Sequence, residues 1–199
     1  MRTDQTALVL IGFQNDYFAD DGVLHGVIEV SAKSVLGNTI KLVESLCATD
    51  ALIISTPIIF TPKYEELVDP VGILKTIKEV GAFKEGTKGS ETIAEIRKFG
   101  DQIKQVPGKR GLNAFSNTDL HKILREHGIQ NVAIGGVVTS ICIDSTGRSA
   151  HEKGYRVYIL SDCTCGRTQV EQDFYIKNVF PLYAEVIDCR TFLKRLGVS

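Results

Sequence analysis

The chain has 199 residues, of which 43% are apolar and 24% charged, with a formal net charge of −1; this composition fits one soluble globular domain with a sizeable core. Lysines and arginines are scattered rather than striped, which argues against nucleic acid or a membrane surface as partner. Residues 1–6 are polar and the apolar run behind them, 7–11, is too short for a signal peptide or a membrane span, so the expected location is cytoplasmic.

Along the chain, the run over 7–11 reads as a strand buried on both faces; it ends in Gly12 and the polar cluster Gln14, Asn15 and Asp16. Residues 30–47 read as a helix, with Val35, Ile40, Val43 and Leu46 near helical spacing, and 51–55 as a second strand. The stretch 61–88 breaks the alternation with Pro62, Pro70, Gly72, Gly81 and Gly86, and holds only a short helical piece over 73–80. It is expected to pass over the strand ends, either as a substrate cover or as a plain surface loop. A strand over 103–106 follows. The segment 117–128 has a capping start and a glycine stop, and so reads as a helix. Strands over 131–134, 156–160 and 184–187 alternate with helices over 140–153, 169–179 and 190–196.

Strand alternating with helix predicts a three-layer α/β/α sandwich with a six-stranded, doubly wound parallel sheet, in one domain over 1–199. In such sheets the site lies at the carboxyl ends of the strands, here 12–16, 56–60, 107–110, 135–142 and 161–165.

Two of these ends carry reactive groups. In "AIGGVVTSICIDSTGRSAHEKGY", residues 133–155, a strand runs through Gly135-Gly136 into a helix with Cys142 in its first turn. Unpaired N–H groups and the helix dipole stabilise a thiolate there and can bind an oxyanion. The alternative is a buried cysteine filling space. In "VPGKRGLNAFSNTDL", residues 106–120, Lys109 follows a strand break; a lysine near a thiol stabilises the thiolate and shuttles protons. The alternative is a solvated basic loop. Neither a P-loop nor a GxGxxG after a strand is present, so no nucleotide cofactor is indicated.

The five cysteines form no disulfide framework, since the count is odd and no export signal precedes them. Cys163-Thr-Cys165 is not a zinc knuckle, and His25, His121, His127 and His151 are spread out. No metal and no cofactor are expected.

The chain resembles the isochorismatase-like cysteine hydrolases, which include isochorismatases, nicotinamidases and N-carbamoylsarcosine amidases. The resemblance covers about residues 6 to 190 and rests on four segments in order. "ALVLIGFQNDYF" is similar to an apolar strand followed by Asp, any residue and Gln-Asn-Asp-Phe. "FKEGTKGSETIAEI" is similar to a Gly-Thr-x-Gly turn before a helix. "GKRGLNAFSNTDL" resembles Lys-x-x-x-x-Ala-Phe-x-x-Thr-x-Leu, and "GVVTSICIDSTGRSAHEKGYRVYILSDC" resembles the Cys-bearing segment with its strand-end Asp. The resemblance implies a Rossmann-like fold, a triad of Asp, Lys and Cys, and a homo-oligomer, dimer or tetramer. Cys142 would be the nucleophile and Lys109 the lysine. The N–H groups of Val138 and Cys142 would form the oxyanion hole, beside a cis peptide at Val137–Val138. The substrate would be a small molecule with an amide, carbamoyl or vinyl-ether bond.

The family's Asp falls on Gly12. A general acid–base group is typically worth about 10²–10⁴-fold. Three readings stay open. Another acid substitutes, Asp16 nearest and Asp20 or Asp21 further off; or the chain is a weakened or inactive relative that binds without hydrolysing; or Gly12 is an introduced change. The Asp-x-His pair of metal-binding nicotinamidases is absent from "STPIIFTPKYEEL". Ile58, Ile59 and Phe60 would instead make an apolar wall, with Gln14, Phe18 and Phe115 as further substrate contacts or core residues. Cys47, Cys163, Cys165 and Cys189 read as small apolar fillers, and Arg148 and Arg167 as surface groups or carboxylate binders.

Overall fold

The computed structural model describes residues 1–28 and 32–198; Val30, the expected start of the first long helix, lies outside them. Six parallel strands form one sheet in the order β3-β2-β1-β4-β5-β6. They are β1 (Thr6–Ile11), β2 (Leu52–Thr56), β3 (Lys104–Gln105), β4 (Asn131–Val137), β5 (Arg156–Cys165) and β6 (Glu185–Ile187). The eight α-helices among the described residues are α1 (Asn15–Phe18), α2 (Ala32–Leu46), α3 (Gly72–Val80), α4 (Ala94–Arg97), α5 (Leu120–Glu126), α6 (Asp144–Glu152), α7 (Gln169–Phe174) and α8 (Cys189–Leu196).

The period-2 geometry of a strand explains the layers. On β1, Leu8 and Leu10 face a core shared with α2 and α8, which contribute Leu42, Val43, Phe192 and Leu196. Ala7, Val9 and Ile11 face the opposite core, closed by Leu120 and Leu124 of α5 and Ala150 of α6. Strand β1 is therefore buried on both sides, as its unbroken apolar run requires. It pairs with β2 on one edge and β4 on the other, so chain order reverses at β1. The crevice beyond Ile11 and Val137 is the place where such a fold puts its site.

Some boundaries differ from the sequence expectation. The helix expected over 140–153 opens with a π turn over Thr139–Ile143 before α6. Strand β4 runs on through Gly135 and Gly136 to Val137, and β5 through the polar Ser161 and Asp162 to Cys165, with a slip in their pairing between Ile134 and Gly136. The stretch 61–88 is pinned by Phe60, whose N–H and C=O pair with Phe83 and Glu85, and it sends Tyr64, Leu67, Ile77 and Phe83 into the core.

Candidate active site

Three strand ends supply the site. Beyond β3, Pro107-Gly108 turns the chain so that Lys109 pairs with Ile58 beyond β2: the Ile59 N–H donates to the Lys109 carbonyl at 3.3 Å. This fixes the backbone and buries the lysine, which is only 1% exposed. Beyond β4, the π turn carries Cys142, also buried. Lys109 Nζ lies 3.5 Å from Cys142 Sγ. Among the described residues no carboxylate pairs with Lys109, so the thiol is the only reactive partner within its reach. An ammonium held against a sulfur in a dry site favours the thiolate by direct charge attraction.

The turn that carries Cys142 is braced from α7. Thr139 Oγ1 donates to Gln172 Oε1 at 2.6 Å, and Gln172 Nε2 donates to the Thr164 carbonyl at 3.1 Å. The Ser140 hydroxyl donates to Glu171, and Arg167 Nε donates to the same carboxylate at 2.7 Å. Burial pushes the Glu171 carboxyl up, but these hydrogen bonds and the Arg167 charge outweigh it and hold the group below its ordinary value. The Ile141 and Ile143 N–H groups both donate to the Val138 carbonyl, and the Val137–Val138 peptide is cis, as the resemblance implies. None of the α7 contacts carries a motif, so sequence reasoning missed them.

Gly12 stands across the crevice at φ +74°. A Cβ there would sit 2.9 Å from both the Val137 carbonyl oxygen and its Cγ2, and 3.6 Å from the Tyr17 ring. The position is therefore not a site for an aspartate with its side chain trimmed away. Its backbone is left-handed and its outer face is closed by Val137 and Tyr17. Tyr17 is a further residue that sequence reasoning missed. Burial raises its phenol far above the ordinary value, with the charges of Cys142 and Asp16 adding to the effect.

Asp16 has a different task from the one expected of a replacement base. Its Oδ2 accepts the Phe83 N–H at 2.6 Å, and its carboxylate packs so tightly on Gly89 that no Cβ fits there. It ties the 61–88 stretch to α1, just beyond β1. Gln14 is likewise corrected: it is 1% exposed, its Nε2 donates to the Ile58 and Ser90 carbonyls, and its Oε1 accepts from Ile58 N–H. With every amide group engaged it braces the strand ends and cannot reach a ligand. Phe60 is fully buried in the core. Phe115 packs on Tyr155, with ring centroids 6.3 Å apart, and Phe18 stacks on Phe13. Gln14, Phe60 and Phe115 are thus engaged in bracing and packing, whereas Phe18 is half-buried and also lines a cavity of about 330 Å³ with Asp20, His25, Ala32, Lys33 and Leu36.

An open cleft of about 630 Å³ lies on the outer side of the Thr139–Ile143 turn, lined by Ile73, Leu112, Ser140, Ile141, Arg148 and Tyr175 among others; Cys142 and Lys109 themselves do not line it. The 61–88 stretch thus reaches the cleft through Ile73 of α3. Arg148 and Arg167 stand at its rim, each paired with an acid four residues away, Asp144 and Glu171. A larger cleft of about 1290 Å³ lies at the amino-terminal edge of the sheet, around Gln5, Asn131 and Arg156; it holds none of the reactive groups. Of the remaining cysteines, Cys165 is an inert filler whose thiol burial pushes up to about 12.

A doubly wound sheet with a buried Lys–Cys pair at its reversal point defines a class of α/β proteins equipped for nucleophilic thiol chemistry. The family model described as isochorismatase domain matches residues 6–191, and the chain belongs to that family, whose members are hydrolases. It is 26% identical to nicotinamidase 3 of Arabidopsis thaliana, over 92% of this chain and 84% of the relative. It is 28% identical to the ureidoacrylate amidohydrolase RutB of Pseudomonas savastanoi pv. phaseolicola, over 96% and 85%. A cysteine hydrolase from Pseudomonas syringae pv. phaseolicola 1448A superimposes with a TM-score of 0.87 at 18% identity, covering 99% of this chain and 94% of the other, which establishes the shared fold.

Proposed function

We propose that this protein is a cysteine hydrolase acting on a small molecule with an amide, carbamoyl or vinyl-ether bond. The observation that carries this reading is the buried contact of 3.5 Å between Lys109 Nζ and Cys142 Sγ. In the amide case Cys142 Sγ, as a thiolate held against the Lys109 ammonium, attacks the carbonyl carbon. The N–H groups of Val138 and Cys142 take the oxyanion. The C–N bond breaks, the leaving amine takes a proton from Lys109, and water then cleaves the thioester to return the thiol. The names of the two curated relatives favour the amide and carbamoyl arm over the vinyl ether, which needs different chemistry. The reading extends to a cytoplasmic homo-oligomer, dimer or tetramer, with neither nucleic acid nor membrane as partner. No helix among the described residues is long and apolar enough to cross a membrane.

Gly12 motivates a second reading, a weakened or inactive family member that binds a small molecule without hydrolysing it. A panel of primary amides and N-carbamoyl compounds separates the two. Turnover that disappears in Cys142→Ser supports the hydrolase. Absence of turnover together with a ligand-induced rise in melting temperature supports the binding protein.

A further inference from the structure

On the sheet face away from Cys142, the pairing of β4 with β5 slips. Ile134 faces Ile159, while Gly136 faces Thr164, so two steps on β4 meet five on β5. The surplus residues are Ser161, Asp162 and Cys163. In an unbroken strand, Asp162 and Cys163 would point to opposite faces. The irregularity lets both bring donor atoms to Cys189, the first residue of α8. A carboxylate oxygen of Asp162 and the two sulfurs all lie within 4.8 Å of one another. The Cys189 thiol donates to Asp162 Oδ2 at 3.0 Å, and its backbone N–H donates to Oδ1 at 2.8 Å.

This cluster lacks a cation. Among the described residues no lysine or arginine pairs with Asp162. Beside the cluster, Thr39 of α2 is fully buried with its hydroxyl facing the Cys163 thiol and no oxygen or nitrogen partner among the described residues; a buried hydroxyl that meets only sulfur is poorly satisfied.

We propose that Asp162, Cys163 and Cys189 form a binding site for a thiophilic divalent cation of the zinc class, independent of the Cys142 site. Zinc–sulfur bonds of about 2.3 Å and zinc–oxygen bonds of about 2.0–2.2 Å place tetrahedral donors roughly 3.5–3.8 Å apart; here the Cys189 sulfur and Asp162 Oδ2 are 3.0 Å apart and no pair of donors exceeds 4.8 Å. Two thiolates and a carboxylate suit a d¹⁰ ion, and the Cys189 N–H orients the carboxylate as an outer-shell partner. Asp162 and Cys189 are half-buried, so the fourth position is open to water. An ion here would clamp the end of β5 to the start of α8. The carboxylate also argues against a simple redox pair, because it repels an attacking thiolate while adding a third ligand to a cation.

The test is a titration of the reduced full-length chain with Zn²⁺ against a chromophoric chelator, repeated with Cd²⁺ to read thiolate charge-transfer absorbance. The expected result is one equivalent bound in both the parent and Cys142→Ser. It should be lost in Cys189→Ser and weakened tenfold or more in Asp162→Asn. Failure of the parent to bind overturns the proposal, as does binding that survives Cys189→Ser or binding that vanishes in Cys142→Ser. A Cys163–Cys189 disulfide in place of a bound ion, read by intact mass, overturns it as well. Cys189 is half-buried at a helix start, so its serine variant keeps the test open if Cys163→Ser fails to fold.

Discussion

Cys142 and Cys189 each stand in the opening turn of a helix that follows a strand of the same sheet, yet one faces an ammonium and the other a carboxylate. Lys109 reaches Cys142 from 33 positions upstream and Asp162 reaches Cys189 from 27 positions upstream. Local sequence around the two cysteines predicts similar helix-start environments. The tertiary partner decides which chemistry each thiol is offered. A cation beside sulfur favours a nucleophile, whereas a carboxylate beside two sulfurs makes a ligand set.

The comparison breaks most sharply at Cys142. Cys142→Ser is expected to lower amide turnover by roughly 10⁴-fold or more, the scale for loss of a covalent nucleophile, and steady-state kinetics on the responsive substrate reads it. If Lys109 is what separates the two thiols, Lys109→Met should slow alkylation of Cys142 by iodoacetamide about tenfold at neutral pH, since the thiolate loses its neighbouring charge. Peptide mass spectrometry checks this, with Cys47, half-buried and raised by burial and the Glu44 charge, as the internal reference.

The third prediction concerns backbone. Gly12→Asp introduces the residue type that the resemblance implies at this position, but it forces a side chain against the Val137 carbonyl at a positive φ. It is expected to destabilise by about 1–3 kcal/mol, read as a shift in the urea midpoint. An unchanged midpoint would show that the crevice opens to admit an acid.

Acid sharpens the picture from the α7 side. The folded Glu171 carboxyl is held below its ordinary value, so its contribution to stability is present above the unfolded value. It fades as pH falls through the lower, folded one. Below the usual carboxylate range the Ser140 and Arg167 contacts should loosen, and hydrogen exchange over Thr139–Ile143 should rise before the sheet core is exposed. The smallest effect belongs to the other cluster. Asp188 caps α8 by accepting the Thr191 N–H at 2.6 Å, and Asp188→Ala should cost about 0.5–2 kcal/mol, measured by thermal unfolding.

The alternation of apolar runs with helical periods was enough to read the parallel sheet, its two helical layers and the strand-end location of the site, because burial on both faces leaves a local signature in β1, β4 and β5. Lys109 and Cys142 were legible through their spacing to neighbouring glycines and through the resemblance their segments carry. What stayed hidden was long-range. The engagement of Gln14 and Asp16 in bracing Ile58, Ser90 and Phe83, the Val137 wall against Gly12, the Thr139–Gln172 and Ser140–Glu171 contacts, and the slip that gathers Asp162, Cys163 and Cys189 all depend on partners tens of residues apart. Sequence by itself determined which strands form and where β1 stops, because an apolar run buried on both faces ends where the polar cluster begins. Tertiary structure alone decided which side chains meet, because a hydrogen bond or a charge contact depends on separations of a few ångströms, and no local periodicity encodes those separations.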